Sequence, residues 1–139
     1  MSFRGAFERM PQTGAMMLLD EVLTADETTI VCRARDHRVD NYPLRTEGLL
    51  MGVSLVELGA QAAAAHASLH GIGRPHRGLL AALHNVTVQT GAGLDGPLEV
   101  RAERLYFDDG WARYRFTITC GADKYMWGDA SLVMEPVEP

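Results

Sequence analysis

GVSLVELGAQAAAAHASLHG, residues 52–71, is a long apolar run rich in alanine, with a single acid, Glu57, and with Gln61 one turn beyond it. Ala, Leu, Glu and Gln are good helix formers, and no proline interrupts them. Gly71, Gly73 and Pro75 supply the stop. The run predicts a buried helix of about five turns at 3.6 residues per turn. Its alanines let a sheet approach closely. A carboxylate on such a helix is costly unless it is paired or put to use, which makes Glu57 the first candidate functional residue.

Working outward towards the N-terminus, residues 36–50, DHRVDNYPLRTEGLL, read as a polar loop carrying Asn41, Pro43 and Gly48. This loop delivers the chain to the helix. Free backbone N–H groups at a helix N-terminus bind anionic or carbonyl oxygens, and Gly52 would let a substrate come close to the backbone there. Before the loop, residues 29–35, TIVCRAR, set Ile30, Cys32 and Ala34 against polar neighbours, the pattern of a half-buried strand. Residues 26–28 read as a turn and residues 15–23, AMMLLDEVL, as a buried strand, so the two runs make a hairpin. Residues 2–10 fit a short helical turn broken by Pro11, Thr13 and Gly14.

Beyond the helix, residues 71–77 read as a turn and 79–89 as a third strand, followed by a Gly-rich connection over 90–97. Residues 98–107 are a fourth strand, and Asp108-Asp109-Gly110 is a strong turn signal. In 111–120, Ala112, Tyr114, Phe116, Ile118 and Cys120 alternate with Trp111, Arg113, Arg115, Thr117 and Thr119. After a turn at 121–123 comes a sixth strand over 124–134, and the proline-rich tail from Glu135 reads as frayed. The order is a hairpin, one long central helix, then a meander of four strands. This is an α+β layout, an antiparallel sheet of about six strands around one helix. One helix cannot cover such a sheet fully and long edges stay open, so the pattern predicts a dimer joined edge to edge.

At 139 residues the chain fits one domain spanning 1–139. A composition 47% hydrophobic and 22% charged supports a core. A net charge of −5 argues against nucleic acid or an anionic membrane surface as the main partner. Cys32 and Cys120 lie far apart in no metal-ligand spacing and read as buried free thiols. No metal or cofactor is indicated. No signal peptide stands out. Glu57, Gln61 and His66 interrupt the one run long enough to consider as a membrane span, so a cytoplasmic protein is the expectation.

The residues also carry a resemblance. Residues 10–23, MPQTGAMMLLDEVL, resemble the "LPHR-x-P-x-LLLDRVL" opening of 3-hydroxyacyl-acyl-carrier-protein dehydratases. Residues 52–62, GVSLVELGAQA, resemble their "GVLxxEAxAQA" helix. Residues 36–45, DHRVDNYPLR, are similar to the "SHRDPDNPLR" loop of a divergent branch, the predicted dehydratases linked to aryl polyene and related lipid-like pathways. The resemblance runs over nearly the whole chain and implies the hotdog fold. The main family holds its catalytic histidine in a "GHFPGxP" loop. The same spacing back from Glu57 reaches Pro43 here, and the nearest upstream histidine is His37.

Removing water from a 3-hydroxyacyl thioester needs a base for the proton beside the carbonyl, an acid for the departing hydroxyl, and donors for the carbonyl oxygen. The resemblance implies His37 as base, Glu57 as acid or water-holder, and the backbone at Gly52 and Val53 as carbonyl binder; Gln61, one turn from Glu57, reads as orienting Glu57 or a backbone group. It implies an acyl carrier protein or phosphopantetheine thioester as substrate partner. It also implies a homodimer or higher homo-oligomer, or a heterodimer with a related subunit. Two other readings stay open: a hotdog acyl thioesterase driven by Glu57 alone, and a non-catalytic partner subunit of a dehydratase. Each reading has a bland counterpart: Glu57 as a satisfied buried acid, and His37 as a solvated loop residue beside Asp36 and Arg38. His66 and His70 read as packing or surface residues, and His84 as a satisfied core or interface residue. Arg74, His76 and Arg77 form a small basic cluster suited to a phosphate or an acidic carrier, or simply a solvated turn. Tyr125 or Trp127 is a candidate lining for an acyl tunnel.

Overall fold

The structure, a computed structural model, describes residues 18–34, 45–46, 49–50, 55–70, 76–89, 96–108 and 110–136. In chain order the elements are β1 (Leu19–Ala25), β2 (Thr29–Ala34), β3 (Arg45–Thr46), β4 (Leu49–Leu50), α1 (Val56–His70), β5 (His76–Val88), β6 (Leu98–Asp108), β7 (Trp111–Cys120) and β8 (Asp123–Pro136). Six strands form one antiparallel sheet in the order β1-β2-β6-β7-β8-β5, and β3 and β4 pair as a separate two-stranded ribbon. The helix touches all six strands of the large sheet. One helix wrapped by an antiparallel sheet is the hotdog fold.

The strands form where alternation predicts them. In β7, Ala112, Tyr114, Phe116 and Ile118 are buried against the helix, while Trp111 and Arg115 are exposed. Their inward neighbours are Ala102 and Val100 on β6 and Met126, Ala130 and Leu132 on β8. The helix is buried from Leu58 to Ser68, so its alanines do serve close packing. Gly59 sets the distance: a Cβ there would lie 3.0 Å from the Phe116 ring.

Turn chemistry closes the hairpins. Asp26 Oδ1 accepts from the backbone N–H groups of Thr28 (2.9 Å) and Thr29 (2.8 Å), which fixes the β1–β2 turn. Gly110 takes a φ of 83° and ties to β8 through the Met134 N–H. On β5, a register break between His84 and Thr87 places Asn85 at φ 53°, a β-bulge on the end strand. The bulge brings Val86 so close to Gly128 that a Cβ there would sit 2.8 Å from the Val86 Cα. Gly128→Ala is therefore expected to push β5 off β8 and destabilise the fold by about 1–3 kcal/mol. A thermal melt unchanged from the parent chain would show that β5 yields without penalty.

Four readings of the chain are revised. Residues 45–50 are not all loop, because β3 and β4 pair there. His76 and Arg77 belong to β5 rather than to a turn, and Glu135 and Pro136 are not frayed but pair with them. Both exceptions have one cause: β5 and β8 run antiparallel side by side, and pairing overrides the local preference of Gly and Pro for turns. Trp127 is opposite Thr117 on β7 and shares the outward face with Asp129, away from the helix. Lys124 Nζ lies 5.8 Å from its ring centre. Trp127 is thus no lining for a tunnel beside α1.

Cys32 is buried and Cys120 half-buried, both as free thiols, and burial pushes the Cys32 thiol up to about 12. Among the described residues no helix is long and apolar enough to cross a membrane.

Candidate active site

Glu57 lies in the first turn of α1, half-buried. Removal of water from around its carboxyl raises its affinity for a proton above the usual glutamate value. A hydrogen bond from Gln61 opposes that rise and does not cancel it. Gln61 is four residues further along the same face, where side chains of a helix meet. It is almost fully buried, and its Oε1 accepts from the Leu18 N–H at 2.9 Å. With Oε1 committed as an acceptor, the amide NH₂ is the end that faces Glu57. The amide orientation is therefore set by Leu18, just ahead of β1, and passed to the carboxyl.

This arrangement joins two stretches that are far apart in sequence. Leu18 belongs to the apolar opening run, and Glu57 and Gln61 belong to the helix motif. The Leu18–Gln61 bond brings them together across the core. His37, Gly52 and Val53 lie outside the described residues, as do residues 10–17 and 36–44. Of the sequence-selected residues, the structure thus brings together Glu57 and Gln61.

A second polar cluster lies inside the same helix. His66 is fully buried, with Nδ1 2.7 Å from the Tyr114 hydroxyl and Nε2 2.9 Å from the Asp26 carbonyl oxygen. A carbonyl only accepts, so Nε2 carries the proton and Nδ1 accepts from Tyr114. Burial drives the His66 pKa down to about 4, so the ring is neutral at physiological pH. The histidine locks α1 to β7 and to the β1–β2 turn. His66 is expected as a packing or surface residue and Tyr114 as one of an apolar row, yet the two bond each other. The signal was present: an inward tyrosine on a buried strand needs a partner for its hydroxyl.

His70 stacks on His66 with ring centres 5.6 Å apart. Its carbonyl accepts from Arg104 Nη1 at 2.9 Å, which caps the helix C-terminus. His84 is half-buried on the end strand, 3.2 Å from the Ser131 hydroxyl, and so is satisfied. No cluster of three or more potential metal ligands occurs among the described residues.

A family model described as ApeP-like, ApeP dehydratase, matches residues 6–138. A search of curated proteins finds no significant match. Among solved structures, the chain is similar to the dehydratase heterocomplex ApeI:P from Xenorhabdus doucetiae, with TM-score 0.77 and 19% identity over 95% of this chain and 91% of that one. It is similar to a mutant thioesterase from Pseudomonas aeruginosa, with TM-score 0.66 and 10% identity over 97% and 92% of the two chains. It is similar also to zebrafish thioesterase superfamily member 2, with TM-score 0.63 and 18% identity over 94% and 92%. Identities this low establish a shared hotdog fold and leave the activity to the family match. That match spans the opening run, the helix with its Glu57–Gln61 pair and all six strands of the large sheet, and it makes the chain a member of the ApeP-like dehydratase family.

Proposed function

We propose that the chain removes water from a 3-hydroxyacyl thioester held on an acyl carrier protein, giving the trans-2-enoyl thioester. The observation that carries this reading is Glu57: a half-buried carboxyl on an alanine-rich helix, biased towards its protonated form and oriented by Gln61. A carboxylic acid so biased suits donation of a proton to a departing hydroxyl. In the proposed reaction His37 takes the proton from the carbon beside the thioester carbonyl. Glu57 gives its proton to the hydroxyl, which leaves as water. The N–H groups of Gly52 and Val53 receive the negative charge that builds on the carbonyl oxygen.

The proposed assembly is a pair of chains joined through β5. This strand of 13 residues ends the sheet, and Leu79, Leu80 and Leu83 on it are 40–43% exposed. The opposite edge, β1, has only seven residues and offers a shorter template. The pair is a homodimer or a heterodimer with a related subunit. The heterocomplex with the similar fold favours keeping the second form, and with it the reading of this chain as a partner that supports another subunit's chemistry.

His37→Ala separates the readings. In a dehydratase the substitution removes the base and is expected to slow water elimination by about 10²–10⁴-fold. A thioesterase driven by Glu57 would keep releasing free acid at the parent rate, and that outcome would remove the dehydratase reading.

A further inference from the structure

We propose that a cavity at the C-terminal end of α1 binds a small oxyanion, a phosphate or a carboxylate, between Arg104 and His70. The cavity has a volume of about 370 Å³ and is lined by His70, Arg104, Leu105, Tyr106 and Phe107. It lies thirteen residues along the helix from Glu57, about 20 Å at 1.5 Å per residue. The inference does not depend on the dehydratase reading.

Half-buried Arg104 bonds neutral groups among the described residues. Its Nη1 donates to the His70 carbonyl and its Nη2 to the Glu27 carbonyl, each at 2.9 Å. A guanidinium carries five N–H donors, so three are uncommitted among the described residues. None of the ion pairs among the described residues includes Arg104. Capping the helix accounts for the bond to His70 and bracing the β1–β2 turn for the bond to Glu27, and neither supplies a counter-charge among the described residues. A cation drawn out of water gains from an anion close by.

His70 supplies the second half. Its Nε2 is enclosed and has no hydrogen-bond partner among the described residues. An enclosed ring nitrogen left unbonded is costly. An oxyanion in the cavity would meet both needs once the His70 ring, whose Nε2 is closed to solvent in this structure, turns towards it: uncommitted Arg104 donors on one side and the His70 N–H on the other. The Phe107 ring, 5.8 Å from the Arg104 guanidinium carbon, holds the fork in place.

The test uses the full chain with labelled histidine rings, titrated separately with inorganic phosphate and with acetate against chloride at constant ionic strength. A saturable movement of the His70 ring signals by phosphate, by acetate or by both is expected, and the responding arm identifies the oxyanion. Arg104→Gln is expected to abolish the movement. Because Arg104 also caps the helix, His70→Ala provides a second readout. It leaves the backbone bonds of Arg104 intact and is expected to weaken the oxyanion-dependent rise in Tm at least tenfold in apparent affinity. His70 signals that respond to neither anion, or a Tm response the same with and without the imidazole, overturn the proposal.

Discussion

Glu57→Gln is expected to lower the rate of water elimination by about 10²–10⁴-fold, the span typical of losing a positioned proton donor. The amide has nearly the same shape and can still receive the hydrogen bond from Gln61, so the helix and its contact with Leu18 should persist. What disappears is the transferable proton. Stability should move the other way. Burial raises the proton affinity of Glu57 in the folded chain, so the folded state binds a proton that the unfolded state releases. Ionising Glu57 therefore costs stability as pH rises from the ordinary glutamate value through the raised one. Above that window the glutamine variant should melt no lower than the parent. A variant that is inactive and also unfolds early would make Glu57 a structural residue. One that retains parent-level activity would remove it from the chemistry.

His66→Ala is expected to damage the fold severely. It removes a fully buried ring and strips the Asp26 carbonyl and the Tyr114 hydroxyl of a partner at once. Cavity formation and the lost bonds together suggest about 3–4 kcal/mol, or about 10 °C in Tm for a chain of this size. The penalty should depend on pH. The folded chain holds His66 at about 4 against 6.5 in the unfolded chain. As pH falls from about 6.5 to about 4, the unfolded state takes up a proton that the folded state refuses, so the parent loses up to about 3 kcal/mol across that window. The alanine variant has nothing to titrate there, and its deficit should shrink in acid. A deficit that is small at neutral pH, or equal at pH 4 and pH 7, would contradict the role given to the buried imidazole.

The fold was legible because the pattern was strong at both periods. An unbroken alanine-rich run can be little other than a helix, and the strict alternation in 111–120 marks one buried face, as Tyr114 and Phe116 confirm. The weaker readings fell where long-range pairing decides. His76, Arg77, Glu135 and Pro136 carry turn-like or frayed local sequence, yet they pair because β5 and β8 lie side by side. Of the candidate site, the Glu57–Gln61 contact could be read from spacing, because i and i+4 on one helix must meet. The Leu18–Gln61 bond could not, since nothing in either stretch encodes a contact across 43 positions. The His66–Tyr114 pair, separated by 48 positions, was hidden for the same reason. Trp127 was assigned to a lining on aromatic character alone, and strand parity turns it outward.

The most direct test of the central claim is intact-mass spectrometry of a 3-hydroxyacyl carrier protein incubated with the purified chain, alone and with a related hotdog subunit. The account predicts loss of one water from the carried acyl group, abolished by Glu57→Gln in this chain. Release of the free acid, an unchanged acyl mass under both conditions, or water loss untouched by Glu57→Gln would contradict it.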